Sequence, residues 1–303
     1  MERLKALMDQ AMELPCLKMA VVDAGERHVM EGVAEAVKHG LIDPVFIGVR
    51  HRIEQTAGEA GVQLQGHRVV DAMSEVDAAR QGTEMAVAGD VQGLMKGWLH
   101  TDVLLHPVLD RLRTARRLSH VFIVELSSYP KLLFVTDAAI NIAPDLMQKA
   151  AIVQNAVDLA RVLGIERPKV AALSAVEVVK SDIGSTIDAA CLSKMAQRRQ
   201  IRHAIVDGPL AFDNAISLEA AQTKEIESDV SGDVDILLAP DLNSGNILAK
   251  DLEYLAGAVM AGVVIGAKVP IVLPSRSDPP ESRLASMAVA TIMHHRWAEF
   301  TDQ

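Results

Sequence analysis

Apolar and polar residues follow one another along the chain in two kinds of segment. Short apolar runs such as Leu17–Val22 and Lys169–Leu173 are typical of buried strands. Longer segments, such as residues 26–39, place apolar residues at helical spacing, and Gly40 then stands where a glycine commonly ends a helix. This repeated alternation of strand and helix predicts an α/β protein whose sheet is mainly parallel.

One pair of predicted strands departs from the parallel pattern. Residues 120–126 and 132–135 are both apolar, and the five residues between them are few enough for a hairpin. The sheet is therefore predicted to be mixed.

The segment 269–286, VPIVLPSRSDPPESRLAS, contains the most informative turn of the chain. Its apolar run ends before Ser275 and Arg276, and Pro279-Pro280 marks the start of another helix. Turns at the carboxyl ends of strands face the ligand crevice of α/β domains, and helix N-termini there favour anions. We expect an anionic ligand at Arg276, with a surface ion pair as the alternative and turn capping as the alternative for Ser275.

Four predicted strand ends are rich in small and hydrogen-bonding residues: 136–141, 207–213, 240–246 and 274–278. These loops would converge on one cleft if their strands share a sheet, although such residues also dominate ordinary turns. Lys96, Lys250 and Arg276 lie in or beside such loops and would add positive charge, which favours a phosphate-bearing ligand.

Composition excludes several classes of protein. The chain has 303 residues, of which 50% are hydrophobic and 3% aromatic, and a formal charge of −10 argues against a nucleic-acid surface. Its apolar runs are too short to span a bilayer, so we expect a cytoplasmic protein without a membrane partner. The two cysteines and the scattered histidines have no metal-ligand spacing, and no P-loop or dinucleotide fingerprint is present, so no metal site is predicted.

Seven motifs, taken in order, resemble the phosphate acyltransferase family of phosphotransacetylases and phosphotransbutyrylases. They are LMKGWLHTD (94–102), TDAAINIAPD (136–145), LSAVE (173–177), VDGPLAFDNAIS (206–217), PDLNSGNILAK (240–250), GAKVPIVLPSR (266–276) and RLAS (283–286). The resemblance implies a two-domain isocitrate/isopropylmalate-dehydrogenase-like α/β fold with mixed, mainly parallel sheets and an interdomain cleft. Domain I would contain residues 1–135 and 275–303, and domain II residues 136–274.

The resemblance also implies a homodimer that exchanges an acyl group between coenzyme A and inorganic phosphate. Coenzyme A and the acyl phosphate are then substrates, and no cofactor is expected. Arg276 would bind the transferring phosphate, and Ser275 would orient the thiol or the carbonyl. The predicted substrate-binding residues are Lys96, Thr136, Asn141, Asp207, Pro209, Asn243, Gly245, Asn246 and Lys250.

The base that deprotonates the thiol is left open. In the phosphotransacetylase branch an aspartate follows the Ser-Arg pair, but ungapped counting places Ser282 at that position, so Asp278 and Glu281 are the candidates. The acyl group, acetyl or butyryl, is also open. Two other functions remain as alternatives: a metal-dependent hydroxyacid dehydrogenase of the same fold, and a non-catalytic acyl-CoA or acyl-phosphate binding protein.

Overall fold

The computed structural model describes residues 2–276 and 278–301, with only the backbone of Thr301. Ser277, inside the predicted loop 274–278, and the last two residues of predicted domain I lie outside the described residues. The described chain forms two compact units. The terminal unit contains residues 2–116 and 260–298, and the central unit contains residues 117–259 and 299–301.

The first part of the terminal unit alternates helices and strands as predicted. Its elements are α1 (Glu2–Met12), β1 (Leu17–Val22), α2 (Arg27–Lys38), β2 (Ile42–Gly48), α3 (Arg50–Ala60), β3 (Arg68–Asp71), α4 (Glu75–Ala88), β4 (Gly93–Lys96) and α5 (Thr101–Arg111). Five of the six residues of β1 are buried, which explains why all of them except Lys18 are apolar.

The central unit continues the alternation. Its elements are β5 (Ser119–Glu125), β6 (Leu133–Thr136), α6 (Leu146–Val162), β7 (Lys169–Leu173), α7 (Gly184–Gln197), β8 (Ile205–Leu210), α8 (Phe212–Ile216), α9 (Leu218–Thr223), β9 (Ile236–Leu238) and α10 (Leu242–Tyr254). The strand order is β5-β6-β9-β7-β8. β5 and β6 are antiparallel and the other neighbours are parallel, so the predicted hairpin and the mixed sheet are confirmed.

The chain ends with β10 (Val259–Ile265), β11 (Ile271–Val272) and α11 (Pro280–Thr301). The strands of the terminal unit are ordered β3-β2-β1-β4-β11-β10, and β10 alone is antiparallel to its neighbour. β11 contains only two residues of the apolar run that precedes Ser275. Pro270, directly before it, has no N–H to donate to the sheet, although its carbonyl oxygen accepts a hydrogen bond from Leu94 N at 3.1 Å.

The predicted domain boundaries and the compact units differ in position. The prediction divides the chain at 135/136 and 274/275, whereas the units divide at 116/117 and 259/260. Each unit keeps an antiparallel strand pair together: β5 with β6, and β10 with β11. The domain assignment itself stays a prediction. Among the described residues, no helix combines the length and the apolar character needed to cross a membrane.

Candidate active site

The carboxyl ends of β1, β4 and β11 meet at one edge of the terminal unit's sheet. After β4 the backbone turns tightly over the end of β1: Gly97 N donates to Val22 O at 2.8 Å, and Trp98 N donates to Asp23 O at 3.0 Å. A Cβ at Gly97 would clash with both of these oxygens. A glycine is therefore required for the close approach that places Lys96 and Trp98 at this edge.

The Ser275–Arg276 turn after β11 is fixed from two sides. Ser275 N donates to Asp278 Oδ2 at 2.7 Å, and Asp278 N donates to Ser275 O at 3.2 Å. From α11, Arg283 Nη2 donates to Arg276 O at 3.1 Å and to Ser275 O at 3.4 Å. Arg283 is only 4% exposed, so a buried guanidinium supports the backbone of the turn.

The Arg276 side chain is exposed and directed across the edge. Its guanidinium carbon lies 4.2 Å from the centre of the Trp98 ring, and its Nη2 donates to Trp98 O at 3.3 Å. No carboxylate among the described residues forms an ion pair with it. The surface ion pair considered from the sequence is therefore not found there, and most of the guanidinium donors are available to an anion.

Lys96 adds a second cation to this edge. Its side chain is buried, and its Nζ donates to Gly97 O and Leu99 O, both at 3.3 Å. Burial is the main cause that lowers the pKa of Lys96 below its ordinary value, and Arg276 lowers it further, whereas Asp278 opposes the shift. The structure thus brings together Lys96, Ser275, Arg276 and Asp278, four residues that the sequence predicted.

The two candidate bases differ in their surroundings. The Asp278 carboxylate is half-buried and already accepts the Ser275 N–H, whereas Glu281 is exposed in the first turn of α11. Ser282, at the position of the family aspartate, is buried, and its Oγ accepts a hydrogen bond from Met260 N at 3.4 Å. This position therefore packs α11 against β10, and the assignment of the base stays a prediction.

Two of the predicted loops of the central unit lie side by side at one edge of its strands. Loops 136–141 and 240–246 follow the parallel strands β6 and β9 and contact each other: Asn246 Nδ2 donates to Ala138 O at 3.1 Å. A Cβ at Gly245 would clash with Asp137 O, so the approach of the two loops depends on that glycine. The loop 274–278 belongs to the terminal unit.

Thr136 and Asn141 are buried and bonded within the central unit. Thr136 Oγ1 donates to His120 O at 2.8 Å. Asn141 Nδ2 donates to Leu118 O at 2.9 Å, and its Oδ1 accepts from Arg117 Nε at 2.6 Å. These contacts hold the loop after β6 against β5, and a role in substrate binding stays a prediction for both residues.

The remaining predicted residues lie on α10 and β8. Asn243 and Asn246 are exposed in the first turns of α10, and Lys250 pairs with Glu253 at 2.7 Å. Asp207 and Pro209 lie within β8, because this strand continues to Leu210 through pairing with β7. The predicted loop 207–213 is therefore strand in its first four residues, and the substrate contacts of these residues are untested.

Sequence reasoning assigned no role to Trp98 or Arg283. Trp98 stands in the motif LMKGWLHTD and Arg283 in the motif RLAS, so the family resemblance is the signal that could have drawn attention to them. Their contacts with the Ser275–Arg276 turn depend on tertiary structure, and no spacing in the sequence predicts them.

Comparison with known proteins identifies the family. The family described as "Phosphate acetyl/butaryl transferase" matches residues 68–291. A phosphate acetyltransferase of Rickettsia typhi is 49% identical over 294 residues, covering 96% of this chain and 84% of that protein. A phosphate butyryltransferase of Clostridium acetobutylicum is 39% identical over 279 residues, covering 91% and 93%.

A solved structure agrees with the sequence relatives. The crystal structure of a branched-chain phosphotransacylase from Enterococcus faecalis V583 superposes with a TM-score of 0.80 at 31% identity, over 92% of this chain and 99% of that one. The motifs, the α/β fold with its parallel and antiparallel strand pairs and these relatives agree, and the chain belongs to the phosphate acetyl/butyryl transferase family.

Proposed function

We propose that the protein is a phosphate acyltransferase that transfers a short acyl group, acetyl or butyryl, reversibly between coenzyme A and inorganic phosphate in a ternary complex. The observation that carries the proposal is the Arg276 guanidinium, which is stacked on Trp98 and has no carboxylate partner among the described residues. Lys96 ends β4, the parallel neighbour of β11, and is the second cation at this edge of the sheet.

The acyl transfer reaction needs a base and positively charged donors. When an acyl phosphate reacts with coenzyme A, the thiol loses its proton, the sulfur bonds to the acyl carbon, and the bond from that carbon to the phosphate oxygen breaks. A free thiol has a pKa of about 8.5, so a base or nearby cations must favour the thiolate. The tetrahedral oxyanion and the departing phosphate both gain from preorganised donors.

In the proposed mechanism each residue has one role. Arg276 holds phosphate oxygens with its planar fork, and Lys96 stabilises the negative charge that develops on them. Ser275 orients the thiol or the carbonyl by hydrogen bonding. Asp278 or Glu281 accepts the thiol proton. No covalent enzyme intermediate is needed when both substrates are aligned, since proximity alone lowers the barrier.

The finer architecture is part of the proposal. The family and the two compact units support a two-domain isocitrate/isopropylmalate-dehydrogenase-like fold. We also propose that the enzyme is a homodimer that needs no metal or other cofactor and binds no nucleic acid. Its net charge of −10 supports the last point.

The test is phosphate-dependent release of coenzyme A from acetyl-CoA and from butyryl-CoA, followed with a thiol reagent. We expect release that requires inorganic phosphate, and the ratio of kcat/KM for the two substrates gives the acyl preference. Binding of acyl-CoA without release would instead indicate a binding protein. Reduction of a nicotinamide nucleotide by a hydroxyacid would indicate a dehydrogenase, which the named relatives do not favour.

A further inference from the structure

A basic cavity of about 690 Å³ lies at the amino ends of β7 and β8 in the central unit. Four of the side chains that line it are Arg167, Arg199, Arg202 and His203, and Gln197 contributes an amide. This volume is within the range of about 300 to 1,000 Å³ that is typical of small-molecule sites.

The loop 198–204 that supplies most of the cavity is firmly held. Ile201 is 1% exposed and anchors the loop in the core. The side chain of Gln154 accepts from Arg202 N at 2.8 Å and donates to Arg202 O at 3.4 Å. Arg199 and His203 have φ of 60° and 61°, a conformation uncommon for residues other than glycine, so the loop has a defined shape.

The arginines of this cavity form no ion pairs within the part of the chain that the structure describes. Within the described residues, no ion pair or side-chain hydrogen bond is made by the side chains of Arg167, Arg199 or Arg202. Three like charges around one cavity repel one another, and an anion between them would relieve that repulsion. The chain as a whole carries a charge of −10, so a general excess of basic residues does not explain the cluster.

A second cavity, of about 390 Å³, limits the size of the ligand. It shares Arg167, Ala196, Gln197 and Ala204 with the first, and three carboxylates also line it: Asp207, Glu227 and Asp229. Negative charge is therefore present in the cavity next to the basic one. An anion that extended into this second cavity would meet these acids, whereas an anion confined to the first would not.

We propose that the basic cavity binds a small phosphorylated anion with at least two phosphate groups. Two such groups carry roughly three to four negative charges, which matches three guanidinium groups, and the planar fork of arginine suits phosphate oxygens. The cavity is at the opposite end of β7 from loops 136–141 and 240–246, about 16 Å away by strand length. None of its lining residues has a role in the proposed transfer reaction.

The test uses calorimetric titration with inorganic pyrophosphate. Titrations are run on an Arg276→Gln background, which removes the cation proposed for catalysis, and we expect binding to persist there. Adding Arg199→Asn and Arg202→Gln should weaken it by about tenfold or more, since asparagine tolerates the left-handed backbone and neither residue is buried. The matched control is Arg198→Gln, an exposed arginine of the same loop outside the cavity lining, which should change affinity less than about twofold.

Three results would overturn the proposal. These are no binding of pyrophosphate on the Arg276→Gln background, unchanged binding in the Arg199→Asn/Arg202→Gln protein, and tighter binding of citrate than of pyrophosphate, which would indicate a carboxylate ligand. Thermal melts of the same proteins establish that each is folded. Because the release of coenzyme A is assayed separately on the wild type, failure of this proposal is distinguishable from failure of the proposed function.

Discussion

Replacement of Arg283 by lysine tests how the Ser275–Arg276 turn is positioned. Arg283 is 4% exposed, and its Nη2 donates to the carbonyl oxygens of both turn residues, at 3.4 and 3.1 Å. Its stem packs against Gly32, where an added Cβ would lie 3.3 Å from Arg283 Cδ. Lysine keeps the charge and most of the stem but cannot direct one planar group at two oxygens.

The size of the effect follows from these contacts. A hydrogen bond from a charged group contributes about 1.5 to 3 kcal/mol, and the 3.4 Å contact adds little. If this energy serves to hold the turn in the transition state, kcat/KM should fall by about 10- to 150-fold. The released Arg276 carbonyl belongs to an exposed residue and can bond to water, so we expect the melting temperature to change by only a few degrees.

The assay is coenzyme A release with melts on the same samples, and Arg296→Lys on the same helix is the matched control. Arg283→Gln gives a second readout, because it removes one of the positive charges that lower the pKa of Lys96. The pH at which a Lys96-dependent step titrates should therefore rise in Arg283→Gln but stay near wild type in Arg283→Lys. Wild-type kcat/KM in Arg283→Lys would refute the positioning role.

Three further predictions concern the base, the glycine and a buried histidine. Asp278→Asn and Glu281→Gln should separate the two bases: the variant that removes the base should lose kcat with a near-normal KM for coenzyme A, and wild-type rates in both would exclude both. Gly97→Ala should lose activity and stability together, because its Cβ would clash with backbone oxygens of β1 and the residue after it; an active, equally stable variant would contradict this. Burial lowers the pKa of His120 to about 4 from an ordinary 6.5. Between these pH values the unfolded chain binds a proton that the folded chain does not, so the free energy of unfolding should fall as pH drops from 6.5 to about 4. Urea unfolding of His120→Phe at several pH values should show a weaker dependence of this free energy on pH than the wild type shows.

The sequence predicts regular elements well where burial dictates residue type. β1 is recognisable because nearly all of its residues are buried, and the hairpin of β5 and β6 because its connection is too short for a parallel crossover. Prediction is less accurate at strand ends. β8 continues through Gly208-Pro209, which reads as a turn, because pairing with β7 outweighs local propensity.

Of the candidate site, only the residues expected to contact the ligand could be predicted from the sequence. Ser275 and Arg276 stand at a recognisable strand-to-helix turn, and Lys96 follows an apolar run. The contacts that fix them are tertiary: the indole of Trp98 meets Arg276 across 178 residues, and Arg283 reaches back to backbone oxygens rather than to a side chain. Any residue has a backbone carbonyl oxygen that can accept a hydrogen bond, so the sequence alone gives no reason to assign a positioning role to Arg283.

Arg276→Lys tests the central claim most directly. The variant keeps the charge but loses the planar fork, so phosphate-dependent release of coenzyme A should fall by about 100-fold or more on the preferred acyl-CoA, with a melting temperature close to that of the wild type. A variant within about threefold of the wild-type rate would contradict the assignment of Arg276 to the transferring phosphate group.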